Sequence, residues 1–196
     1  MPLEAAAGKP APLADATFAL LPTLSVVELR SSSASFKEKT CNPDGLHPRS
    51  LSLLSDECLE GLAQILAVAE AVGDFPDITR DAVISLLRKK TGGCRAIGFF
   101  RGPFRVWGRA RRGELIKWEE TMAEQSHFNV GKGRCTTDAV WRRAAKAAHH
   151  TNAGEAAAAI FKDLQEFYEH IDHELLAETG LSLGYPPVVL RMCLAS

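Results

Sequence analysis

The chain has 196 residues, a hydrophobic fraction of 46%, a charged fraction of 24% and a formal net charge of -1. These are the proportions of a globular protein: one ordinary domain, or a piece of a larger one. No apolar run approaches the roughly 18 residues a bilayer span requires, and the opening Met-Pro-Leu-Glu-Ala-Ala-Ala lacks the basic start and apolar core of a secretory signal.

Residues 1–50 are rich in Ala, Pro and Ser, with Ser31-Ser32-Ser33 and Asn42-Pro43-Asp44-Gly45 as breakers. They read as a loosely ordered leader with a short ordered piece around 18–29, which places the folded region at 51–196. A helix is predicted over 55–72. Ser55 is its cap, Leu59, Leu62, Ile65, Leu66, Ala69 and Val72 fall at helical spacing, and Gly73 and Pro76 end it. Two short apolar runs, 82–88 and 96–100, flank the turn Lys90-Thr91-Gly92-Gly93 and predict a β-hairpin. Segment 104–124 reads as mostly helical, with Gly113 as its weak point, and Thr136-Thr137 caps a helix over 138–150 that Asn152-Ala153-Gly154 breaks. After Gly154, Ile160, Leu164, Phe167, Ile171 and Leu175 recur at spacings of four, three, four and four. Periodicity alone reads 155–178 as one amphipathic helix.

Charge is segregated along the chain. Residues 88–117 hold 10 basic side chains against the single acid Glu114. Such a block makes a field that can hold phosphates, and Phe99, Phe100, Phe104 and Trp107 lie within it. Its arginines Arg101, Arg105, Arg109, Arg111 and Arg112 are candidate nucleic-acid contacts. The alternative is a solvated basic helix face. The cysteines at 41, 58, 94, 135 and 193 are odd in number and nowhere spaced C-x-x-C. They read as reduced thiols of an intracellular protein, nuclear or cytoplasmic and not secreted, rather than a disulfide framework or zinc knuckle. His170 and His173 stand three apart, but no cysteine or carboxylate set completes a metal site around them.

The stretch Asp163-Leu164-Gln165-Glu166-Phe167-Tyr168-Glu169-His170-Ile171-Asp172-His173-Glu174-Leu175-Leu176 resembles the first catalytic-carboxylate motif of reverse transcriptases. Neighbouring pieces stand in the family's order. Lys90-Thr91-Gly92-Gly93-Cys94-Arg95-Ala96-Ile97 is similar to the finger hairpin of the non-long-terminal-repeat and group II intron kind, with Ala96 where that family usually has Pro. Phe104-Arg105-Val106-Trp107, Val130-Gly131-Lys132-Gly133-Arg134 and Thr137-Asp138-Ala139 follow in sequence.

This resemblance implies an α+β fold: a mostly helical fingers region with a short hairpin and part of a palm sheet, in which 156–163 is a strand. It also implies RNA-directed DNA polymerase activity in the complete domain. The ligands would be an RNA template, a DNA primer and deoxynucleoside triphosphates, with no membrane partner. Two divalent ions clamp the attacking and leaving oxygens in such a transfer. Asp163 would be a catalytic Mg²⁺ ligand, since hard ions prefer carboxylate oxygen, and the Leu164 carbonyl its neighbour. Tyr168 would lie under the incoming sugar, and Lys90 and Arg95 would grip the triphosphate. The chain contains no Asp-Asp pair, so the expectation is a C-terminally truncated fragment that is inactive alone, with an open sheet edge and low stability. The competing expectation is a non-catalytic helical module that uses the block 88–117 on nucleic acid or an acidic partner.

Overall fold

The computed structural model describes residues 13, 18–40, 42–80, 82–90, 92–123, 135–156, 158 and 170–195. The fold is α+β, about 60% helical with one two-stranded antiparallel sheet. Its elements in chain order are α1 (Val26–Ala34), a 3-10 helix (Pro48–Leu53), α2 (Asp56–Val72), α3 (Asp77–Arg80), β1 (Val83–Arg88), β2 (Cys94–Phe99), α4 (Gly102–Ala110), α5 (Arg112–Met122), α6 (Thr136–Asn152), α7 (His173–Ser182) and α8 (Pro187–Ala195). The chain divides into two compact units. One comprises residues 1–112 and 173–196, the other 113–172.

The first unit is built around α2. Ser55 Oγ accepts from the Cys58 amide at its start, and Gly73 ends it in the left-handed conformation (φ 85°), its amide bonded to the Ala69 carbonyl. Both signals are local, which is why the predicted bounds hold. The buried face of α2 is Leu59, Ala63, Leu66, Ala69 and Glu70. Ile65 and Val72, which share the apolar helical spacing, are 57% and 68% exposed. With Val68, Phe75, Pro76 and Asp77 they line an open groove of about 640 Å³.

Packed on the buried face are Leu24, Leu29 and Phe36 around α1, Val106 and Trp107 of α4, and Val188, Val189, Leu190 and Met192 of α8. Phe75 sits edge-on to Trp107 at 5.3 Å and against Phe104 at 5.1 Å, the geometries that aromatic quadrupoles favour.

The boundary expected at residue 50 falls within an element. The 3-10 helix Pro48–Leu53 straddles it, and Leu24, Leu29, Phe36 and Pro48 are buried. Residues 18–50 therefore belong to the same core as α2. Compositional bias obscured this, because few but well-placed apolar side chains suffice to bury a short helix. A local signal existed: Ser25 and Glu28 form a capping box, with the Glu28 carboxylate accepting from the Ser25 amide at 2.8 Å.

In the second unit, α6 begins at Cys135, whose amide donates to the Asp138 carboxylate at 2.7 Å. The cap thus stands one residue before the expected Thr136. Residues 140–152 of α6 are all exposed, Trp141 at 70%. The helical segment expected over 104–124 is two helices, divided at Arg111 rather than Gly113.

Candidate nucleotide and nucleic-acid interface

The hairpin expected around the Gly-Gly turn is present. Val83 pairs with Phe99, Leu87 with Arg95 and Arg88 with Cys94. The loop closes through Lys89 N to Gly93 O at 3.0 Å and Gly92 N to Lys89 O at 3.2 Å. Gly92 and Gly93 both lie at positive φ, 91° and 78°, so the Gly-Gly pair supplies a turn that side-chain-bearing residues resist.

Side chains alternate across the ladder. Ile84, Leu86 and Arg88 share one face with Cys94, Ala96 and Gly98, and all six are exposed. Ser85, Ile97 and Phe99 share the other face with Val83, Leu87 and Arg95, and those first three are partly covered. Arg88, Lys89, Lys90 and Arg95 crowd the tip, all exposed. None of the four has a side-chain hydrogen bond or ion pair among the described residues. Four cations without a carboxylate favour a polyanionic ligand.

Helix α4 follows the hairpin directly, and its start is fixed by tertiary contact. The Asp44 carboxylate accepts from the Gly102 amide at 2.8 Å, placing negative charge at a helix N-terminus where the dipole favours it. Arg105 donates to the Asn42 side chain. The turn Asn42-Pro43-Asp44-Gly45, expected to break a leader, is thus the anchor of α4.

The five arginines of the basic block divide into two groups. Arg111 is 5% exposed. Its Nε and Nη2 donate to the two carboxylate oxygens of Glu70, each at 2.6 Å, and Trp107 Nε1 donates to the same carboxylate at 2.7 Å. Arg111, a candidate nucleic-acid contact in the sequence, is buried in the core with its guanidinium paired to Glu70. A buried guanidinium must be paired, and Glu70 pairs it. Arg109 and Arg112 are exposed, and Arg101 and Arg105 half-buried. Arg109 lies over the Phe36 ring at 3.7 Å with Arg105 at 5.4 Å. Partial burial lowers the basicity of Arg109, and the charges of Arg105 and Arg112 add to that effect.

Glu70 and Arg191 are the important residues that sequence reasoning passed over. Arg191 Nη2 donates to the Glu70 and Ala71 carbonyls at 2.7 and 3.0 Å, closing the last turn of α2. Their signal was present in the patterning. Glu70 completes the spacing of Leu59, Ala63 and Leu66, and Arg191 interrupts the run Val188-Val189-Leu190. A charge at an apolar position marks a buried pair.

Asp163, Leu164 and Tyr168, with the strand expected over 156–163, lie outside the described residues. Around them, Glu155, Ala156 and Ala158 are non-helical, as are Ile171 and Asp172 before α7 begins at His173. The single helix that periodicity suggests over 155–178 is therefore interrupted at both ends. Among the described residues no group of three His, Cys, Asp or Glu is arranged to hold a metal ion. Asp163, the magnesium ligand that the resemblance implies, is outside those residues, and no chemical step is derived through a metal ion. Among the same residues no helix is long and apolar enough to cross a membrane.

Against known proteins, the chain matches no family model, no curated protein and no solved structure at a significant level.

Proposed function

We propose that this chain is the fingers and first palm motif of an RNA-directed DNA polymerase of the retroelement kind. The observation that carries the reading is the hairpin: Lys90 and Arg95 flank a Gly-Gly turn, with Arg88 and Lys89 beside them and no carboxylate partner among the described residues. Such a tip suits the triphosphate of a deoxynucleoside triphosphate, which carries several negative charges in a compact group. Ile171 and Asp172 are non-helical immediately before α7 begins at His173.

In this reading the primer's 3′ oxygen attacks the α-phosphorus opposite an RNA template, and pyrophosphate leaves. Lys90 and Arg95 hold the departing phosphates, and Tyr168 lies under the sugar. In the complete domain Asp163, with the Leu164 carbonyl, would contribute to a Mg²⁺ site that also needs a carboxylate pair this chain does not contain. The location is intracellular, nuclear or cytoplasmic.

Two measurements on the purified chain test this. It should bind a fluorescent deoxynucleoside triphosphate, and Lys90→Ala and Arg95→Ala should each weaken binding by about ten-fold, the loss of one charge-assisted contact. It should extend no primer in the presence of Mg²⁺. Triphosphate binding that is absent, or indifferent to both substitutions, sinks the reading. Primer extension abolished by Asp163→Ala would instead show that the chain alone suffices for catalysis.

A further inference from the structure

A second cationic feature lies on α4. Arg105 and Arg109 stand four residues apart on one side of α4, and Arg112 opens α5 just past the break at Arg111, near enough for its charge to act on Arg109. The opposite side is buried through Val106, Trp107 and Arg111. The row's geometry is held rigidly. Arg109 stacks on Phe36 at 3.7 Å and donates to Ser35 Oγ at 3.0 Å, and Arg105 donates to Asn42. No carboxylate is paired with Arg109 or Arg112 among the described residues. Gly108, beside the row, faces open space on the side where a Cβ would stand. Partial burial first, and then the like charges of Arg105 and Arg112, lower the basicity of Arg109. Arrays of this kind persist where a polyanion relieves them.

We infer that Arg105 and Arg109 of α4, with Arg112 at the start of α5, form a track for the sugar-phosphate backbone of a nucleic-acid strand, gripped without regard to base sequence. The spacing of about 6 Å between successive rows of a helix face is close to the step between neighbouring phosphates. Guanidinium forks match phosphate oxygens two at a time. Phe36 is 5% exposed and cannot stack on a base, so the contact is to backbone only. No large apolar side chain of α4 is exposed, which leaves nothing to anchor a peptide's apolar residues or to enter a bilayer. The site needs neither Asp163 nor the hairpin, so it stands independently of the polymerase reading.

The test is fluorescence anisotropy of the full chain with labelled single-stranded oligonucleotides of mixed sequence, DNA and RNA separately, over a salt series. Replacing Arg109 and Arg112 together by Gln should weaken binding by roughly five-fold per arginine at 0.1 M salt, and should flatten the slope of log affinity against log salt by about 0.7 per arginine. Replacing both by Lys should keep the slope. Arg112→Gln alone, at an exposed residue, keeps the test valid if the double variant melts early. Unchanged affinity and slope in a folded Gln variant overturn the inference. So does a wild-type chain that binds phosphatidylserine vesicles or polyglutamate but no oligonucleotide. Lys90→Ala with Arg95→Ala should abolish triphosphate binding while leaving the α4 contribution to the salt slope in place, so the two proposals fail separately.

Discussion

Glu70 ties α2 to α4 from within the core. It lies within α2 at 2% exposure and accepts three hydrogen bonds from α4 and its C-cap. Removing one partner of a buried pair strands the other, at a cost of about 3–5 kcal/mol. Glu70→Ala should therefore lose that much in urea denaturation. Glu70→Leu combined with Arg111→Met should recover most of it, because an apolar pair strands no charge. If the double variant is no better than the single one, the stranded charge is not the cause. Gly73 is a second sensitive position. A Cβ there would stand 2.1 Å from Arg191 Nε, and its φ is 85°. Gly73→Ala should cost upward of about 1 kcal/mol from backbone strain and crowding together. In an Arg191→Ala background the cost should shrink to the strain alone, and a double-mutant cycle reads the difference. Glu70, Gly73 and Arg191 were visible as letters, but their partners lie 37 to 121 residues away, beyond any local pattern.

Among elements, α1 and the hairpin behave differently. The Ser25 amide and hydroxyl hold the Glu28 carboxyl below its ordinary value. A group whose folded pKa is depressed stabilises above its unfolded value, and that contribution is lost as pH falls through the folded one. Acidification from neutral pH through the ordinary carboxylate range and below should therefore loosen α1. Glu28→Gln should flatten that part of the pH dependence, followed by hydrogen exchange of the α1 amides. Unaltered exchange profiles would remove the capping box from the account. The hairpin is held by its own ladder and turn, with Ile84 at 66% and Leu86 at 65% exposure on an open face. Exposed apolar strands of this kind promote edge-to-edge association. Leu86→Lys should raise the concentration at which the chain aggregates, measured by light scattering, while leaving the melting midpoint within about 1 °C of wild type, as surface substitutions usually do. A fall of several degrees would mean that this face is covered in solution.

At the scale of the molecule, the first unit is assembled from chain segments on both sides of residues 113–172. Helix α8 contributes Val188, Val189, Leu190 and Met192 to the core and Arg191 to the last turn of α2. Each buried apolar side chain is worth about 1.5–3 kcal/mol, and a whole domain's stability is only about 5–15 kcal/mol. A chain ending before Pro187 should therefore show no cooperative melt by circular dichroism, and a cooperative one would assign α8 a minor role. The amino-acid sequence by itself determined α2 to within a residue, and the hairpin and α6 to within two residues at each end. Their signals are caps, glycines and periodicities within a few positions of the elements they bound. It also located the cations, since charge needs no fold to be read. Only the tertiary structure decided that residues 18–50 join the core, that Arg111 is buried while Arg109 and Arg112 face solvent, and that an Asn-Pro-Asp-Gly turn anchors α4. Those outcomes depend on which distant side chain neutralises a charge or caps a helix, and that is settled by the packing of α2 against α4 and α8.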